Sequence, residues 1–189
     1  ASAHVLFKQQ GGDRLVFSSR SGPLVANRLP DGWIRLDFPS TPAEECSPPP
    51  GLLEALDCKA VWVGRSRFDY LVELNSEDAV RSLRPDHSSL GRMRRVRGIM
   101  VTARGKHYDF VSRFFAPGSG INEDPVTGSA HCALTPFWAQ RLEKQQMLAF
   151  QASPRGGVIR VELHGDRVYL EGQAVTVSHI ELERAAQPG

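Results

Sequence analysis

The sequence predicts an α+β fold, and three observations carry that expectation. Short stretches of alternating apolar and polar residues recur with turn residues between them, spaced too closely for crossover helices. One long helical stripe, residues 129–142, stands between strands on either side. The order helix-then-strands recurs ahead of it, so the chain divides into two related halves, 1–95 and 96–189, the first opening inside its own helix. With 189 residues, 41% hydrophobic and 23% charged, the chain can bury a proper core, which excludes disorder as the main state.

Ala3, Leu6 and Phe7 have helical spacing, but seven residues are too few for an independent helix of ~12 or more, so ASAHVLF reads as the tail of a longer one. After Gly11-Gly12-Asp13 come strands at Leu15–Phe17, Leu24–Arg28 and Trp33–Phe38, separated by Ser21-Gly22-Pro23 and Pro30-Asp31-Gly32. Five of thirteen prolines fall between Pro39 and Gly51, a stiff connector. A helical turn at Leu52–Leu56 precedes strands at Ala60–Gly64 and Asp69–Leu74. Asn75 or Ser76 then caps a helix that breaks at Pro85 and resumes to Met93. In the second half Gly98–Ala103 and His107–Phe115 pair around Arg104-Gly105-Lys106, Gly118–Gly128 is a polar loop, and Ser129–Leu142 is a helix. Ala149–Ala152, Gly157–Leu163, Arg167–Glu171 and Gln173–Leu182 are four further strands.

Composition excludes several functions. Cys46, Cys58 and Cys132 form no disulfide framework and no cysteine metal site, and a reducing, cytoplasmic setting is the default expectation. No apolar run reaches the ~20 residues that cross a bilayer, so no membrane role is expected. Nine Lys/Arg against two Asp lie between Arg81 and Arg113, but without aromatic interleaving this reads as a solvated face, with no nucleic acid as partner.

The chemistry concentrates at Gly118–His131. A glycine-containing loop runs straight into a helix whose inner side reads Ala130, Ala133, Leu134, Phe137, Trp138 and Leu142. The first N–H groups of such a helix lack intrahelical partners and sit at its positive end, a ready site for a carboxylate or phosphate. Gly128 lets a ligand come close to the backbone, and the hydroxyls of Thr127 and Ser129 either cap the helix or hold the anion. Asp124, with Glu123 beside it, would then orient or move a proton on the bound acid; alternatively, Asp124 and Thr127 merely cap the helix. Alanines at 130 and 133 permit close packing, and Pro136 deletes one helical hydrogen bond.

The string Glu123-Asp124-Pro125-Val126-Thr127-Gly128-Ser129-Ala130-His131, with Arg113-Phe114-Phe115-Ala116-Pro117 ahead and Ser153-Pro154-Arg155-Gly156-Gly157 behind, resembles the phenazine-biosynthesis-like PhzF family. The likeness extends through the Ser76–Met93 region and the opening ASAHVLF. It implies a diaminopimelate epimerase-like fold: two similar barrel-like sheets, each around a central helix, the first incomplete here. It implies an active site between the halves, no cofactor, no metal, and isomerisation of dihydro-hydroxyanthranilate by proton movement across a carboxylated ring. By the resemblance, Asp124 positions substrate and assists proton transfer, while Ser129 and the Gly128 and Ser129 N–H groups hold the substrate carboxylate. Thr127, His131, Arg113 and Arg155 are substrate-binding neighbours; the plainer readings are ion-pair or turn supports for the arginines and a satisfied helix residue for His131.

Two departures follow. The family's main acid/base is a glutamate of the first half, and a Gly-His pair opens its first central helix; both are expected ahead of Ala1, and Glu44, Glu45 and Glu54 have no motif that assigns them the missing role. Epimerase or racemase chemistry needs two opposed thiols, whereas Asp124-Pro125 occupies the loop here and Cys132 suits packing. The alternative to an isomerase is a non-catalytic binding or scaffold protein, meeting a protein partner through Arg92–Arg97. Because residues 1–95 would expose apolar sheet faces, they are expected to be held by a further N-terminal segment or a homodimer contact.

Overall fold

The helical spacing of Ala3 and Phe7 puts both on one side of α1 (Ser2–Gln10), where they are buried. The computed structural model describes residues 1–19 and 22–180; the expected turn at Ser21 falls partly outside them. α1 leans on a meander of β1 (Arg14–Ser19), β2 (Gly22–Arg28) and β3 (Ile34–Pro39), sharing a small core with Leu15, Phe17, Ala26, Ile34 and Leu36. The proline-rich connector yields only the two-residue β4 (Glu44–Glu45) before α2 (Leu52–Leu56), β5 (Trp62–Arg65) and β6 (Tyr70–Glu73). The broken helix becomes α3 (Glu77–Ser82) and α4 (His87–Gly91). Ser76 caps α3 by accepting the Ala79 N–H, and Asp86 caps α4 through Ser89 N–H.

β7 (Ile99–Arg104) and β8 (Phe110–Phe115) follow, then α5 (Gly128–Leu142), β9 (Gln146–Gln151), β10 (Gly157–His164) and β11 (Arg167–Gly172). Among the described residues the strands form one sheet in the order β1-β2-β3-β11-β10-β9-β8-β7-β6-β5-β4. Two neighbouring pairs are parallel, β6 with β7 and β8 with β9. Parallel neighbours require crossovers, and the chain makes them with α3–α4 and with α5. The β6–β7 pairing spans residue 95, so strands from both expected halves share this sheet.

The two crossovers cover opposite faces. Val80, Leu83 and Leu90 pack on Ile99, Val101, Ala103, Val111 and Phe115, while α5 packs on Met100, Phe110 and Phe114. β7 and β8 are therefore covered on both sides, which accounts for the near-continuous apolar runs Ile99–Ala103 and Phe110–Phe115. In β9, β10 and β11 the apolar residues alternate, facing α5 with Met147, Ala149, Ile159, Val161, Val168 and Leu170.

α5 is enclosed by this sheet, with nine buried residues that include His131, Cys132 and Thr135 outside the predicted stripe. Trp138 stacks on Phe110 and donates its indole N–H to Thr102 Oγ1 at 2.9 Å. Pro136 stands inside the unbroken helix. Its missing N–H leaves the carbonyl of Cys132 without a helical donor, and the Thr41 N–H fills the gap at 3.0 Å.

The expected strand Gln173–Leu182 is corrected by the structure over its described part. Residues 173–180 form no strand, and Val175, Val177 and Ile180 are 81%, 90% and 79% exposed. β11 already has β10 and β3 on its two edges, so no ladder position is open beside it. The segment instead meets α1, where His4 Nε2 and Lys8 Nζ reach Thr176 Oγ1. Residues 181 and 182 lie outside the described residues.

Candidate active site

The loop from β8 to α5 is fixed by its flanks. Arg113 pairs bidentately with Glu123, Nε to Oε1 at 2.7 Å and Nη2 to Oε2 at 2.8 Å. The Asp124 N–H donates to the Phe114 carbonyl, and Ser153 Oγ donates to the Pro125 carbonyl at 2.8 Å. Gly157 passes so close that an added Cβ would meet Val126 Cγ2 at 2.4 Å, so glycine there lets the segment behind the loop pack against it. Gln151, fully buried at the end of β9, completes the frame. Its Oε1 accepts the Thr127 N–H at 2.8 Å, and its Nε2 donates to the Asp124 carbonyl at 2.7 Å and to Thr127 Oγ1 at 3.2 Å.

These bonds decide between capping and ligand binding. Thr127 is the N-cap of α5, yet its side chain caps nothing. With Gln151 donating to it, the Thr127 hydroxyl donates to Asp124 Oδ2 at 2.6 Å. Asp124 is thereby drawn against residue 127, and no acidic side chain stands in the first turn of α5. Among the described residues, nothing accepts from the N–H groups of Gly128, Ser129 and Ala130. Gly128 and Ser129 are exposed and Ala130 is buried, so the first two donors stand at the surface at the positive end of a 15-residue helix. Asp124 Oδ2 is taken up by the Thr127 hydroxyl, and Oδ1 has no hydrogen-bond partner among the described residues.

Asp124, Thr127, Gly128 and Ser129 thus come together as expected, and three neighbours do not join them. Arg113 sits on the face of β8 turned away from α5, where Nη1 donates to the carbonyls of Val80 and Leu83. With Glu123 on its other donors, its fork is committed to tying α3 to the loop. His131 is buried under Phe110 with Nδ1 2.8 Å from the Thr127 carbonyl. A carbonyl only accepts, so Nδ1 carries the proton and Nε2 is bare, without a hydrogen-bond partner. Burial holds its pKa down at about 4. Arg155 is exposed on the turn whose Ser153 braces Pro125. Cys132 is buried, donates weakly to the Gly128 carbonyl, and burial pushes its thiol up to about 12, which suits packing and not proton transfer.

Sequence reasoning passed over two participants. Gln151 could have been found as a polar residue in phase with Met147 and Ala149 on the core side of its strand. Arg97 lies 32 residues before Ser129, and its Nη2 donates to Ser129 Oγ at 3.4 Å; no local pattern signals that approach. Elsewhere in the basic stretch Arg81 pairs with Glu77 and Lys106 with Asp78, while Arg94 and Arg95 stand exposed. No group of three or more potential metal ligands occurs among the described residues.

The model of the phenazine biosynthesis-like protein family, PhzC-PhzF, matches residues 1–180. An uncharacterized isomerase of Halalkalibacterium halodurans is 46% identical over 188 residues, covering 96% of this chain and 70% of the relative. An uncharacterized isomerase of Pseudomonas aeruginosa is 51% identical over 180 residues, covering 94% and 68%. The crystal structure of an Enterococcus faecalis PhzF-family protein superposes with a TM-score of 0.87 at 38% identity, over 94% of this chain and 68% of that one. The open helix start behind an Asp-Pro-Val-Thr-Gly-Ser loop and the match over nearly the whole sequence lead to one conclusion: the chain belongs to the phenazine biosynthesis-like PhzC-PhzF family.

Proposed function

We propose that the chain serves as a PhzF-like isomerase that binds a small carboxylated, cyclic substrate at the start of α5 and shifts a proton on it by acid–base chemistry. One observation carries this reading: the Thr127 hydroxyl turns to Asp124 Oδ2 and leaves the first N–H groups of α5 open. The substrate carboxylate accepts from the Gly128 and Ser129 N–H groups, with Ser129 Oγ alongside. Asp124, held by Thr127 and through its carbonyl by Gln151, positions the ring and assists the proton transfer with its free Oδ1. The names of the two bacterial relatives as isomerases support the reaction class.

The test has a binding arm and a rate arm. Titrating hydroxyanthranilate into 15N-labelled protein should shift the Gly128, Ser129 and Ala130 amides first. In protein that also carries the family's first-half glutamate, Asp124→Asn should keep those shifts and lower the rate of dihydro-hydroxyanthranilate isomerisation ~10²–10⁴-fold. Absence of shifts at these amides overturns the proposed site, and an unchanged rate removes Asp124 from the chemistry.

A further inference from the structure

We infer that Arg97 is a specificity-determining residue of this site, supplying a second, charged anchor for the substrate carboxylate beside the α5 amides; the inference rests on the reading just proposed. Arg97 lies between α4 and β7, and its guanidinium is clamped by Asp69, Nε to Oδ1 at 2.8 Å and Nη2 to Oδ2. The Asp69 side chain is only 2% exposed, and that of Arg97 is 47% exposed. A buried carboxylate thus fixes the base of a half-open cation. Gly98 makes the clamp possible, since a Cβ there would come within 2.9 Å of Asp69 Oδ1 and 2.3 Å of Phe114 Cζ. Ser119 Oγ donates to the Arg97 carbonyl and ties the backbone to the turn at Pro117–Ser119, and the guanidinium lies over the Phe68 ring at 5.0 Å.

A counter-ion for Asp69 alone needs only the two donors that face it. The second reach of Nη2 goes to Ser129 Oγ, the hydroxyl at the open helix start, and Nη1 has no hydrogen-bond partner among the described residues. The fork therefore presents unspent donors at the edge of the proposed carboxylate seat, pre-oriented by its ion pair. A carboxylate ligand gains both a hydrogen bond and an ion pair from Nη1, whereas a neutral carboxamide of the same shape accepts only the hydrogen bond.

Replacing Arg97 alone would leave Asp69 buried and unpaired, so the decisive variant is the double R97Q/D69N, which removes both charges together. Affinities for hydroxyanthranilate and for its carboxamide are measured on native and variant protein, with the Gly128 and Ser129 amides as reporters. The native protein should prefer the carboxylate, and R97Q/D69N should lose ~10- to 100-fold of that preference, its carboxamide affinity falling less than its carboxylate affinity. Arg97→Lys, which keeps the charge without the fork, should retain part of it. A variant that keeps the full preference overturns the role of Arg97 and leaves the site standing. A native protein whose Gly128 and Ser129 amides respond to neither probe overturns the site itself, and this inference with it.

Discussion

α1 and α5 lie against the same sheet and share a strand, β3, whose Leu36 touches both cores. α1 buries Ala3 and Phe7 and leaves Val5 at 45% exposure, whereas α5 buries nine of its fifteen residues. The contrast shows what enclosure demands of a sequence. A helix against one side of a sheet needs an apolar stripe and may spend the rest on His4, Lys8, Gln9 and Gln10. A helix wrapped by the sheet must settle its polar groups internally: Thr135 Oγ1 donates to the His131 carbonyl, His131 Nδ1 to the Thr127 carbonyl, and Trp138 to Thr102. Two parts of α5 stay unsettled, the buried His131 Nε2 and the first backbone N–H groups, where the site opens.

Three measurements press on this contrast. Leu134→Ala, at a fully buried position of α5, should cost ~2–5 kcal/mol in denaturant unfolding, because the enclosing strands leave little room for collapse onto the cavity. A cost below that range would mean that α5 is less tightly held than its burial shows. Acid is the next largest effect. Folded His131 titrates at about 4 against an ordinary 6.5, so below pH 6.5 the unfolded chain takes up a proton that the folded chain refuses. This contribution is full above pH 6.5 and is lost as pH falls toward 4, by about 3 kcal/mol, and His131→Phe should remove that slope from unfolding curves. Equal pH slopes for native and variant would show that His131 is not held neutral. The smallest effect is at α1, where Val5→Ser should shift stability by no more than ~0.5 kcal/mol; a larger loss would reveal a covered face and break the contrast.

Much of this architecture was legible in the sequence, and the exceptions have physical causes. The meander β1–β3, a cap at Asn75 or Ser76 and a helix over Ser129–Leu142 follow from local periodicity and turn chemistry. The i, i+3, i+4 stripe understated α5, since a stripe describes one buried side and enclosure buries His131, Cys132 and Thr135 as well. Gln173–Leu182 looked like a strand from its alternation, but strand formation needs a free edge, and β11 had none to offer. In the site, the Asp124–Ser129 motif was readable because it is contiguous. The resemblance puts Arg113 and His131 beside it, but β8 alternation turns Arg113 away and helix geometry turns His131 inward. Asp69 and Arg97 stand just ahead of β6 and β7, and the parallel pairing of these strands brings them together.

The pairing of β3 with β11 also sets a schedule for synthesis. β3 emerges early, but its partner edge and the Cys132 carbonyl that receives Thr41 N–H are both made much later. At ~5–20 residues per second the nascent meander waits several seconds with an open edge. The arginines and aspartates along that edge, Arg35 and Asp37, which later pair with Glu171 and Arg167, are charged throughout the wait and discourage pairing with a stranger strand. Of the described strands, β11 is made last, and it closes the edge that β3 leaves open.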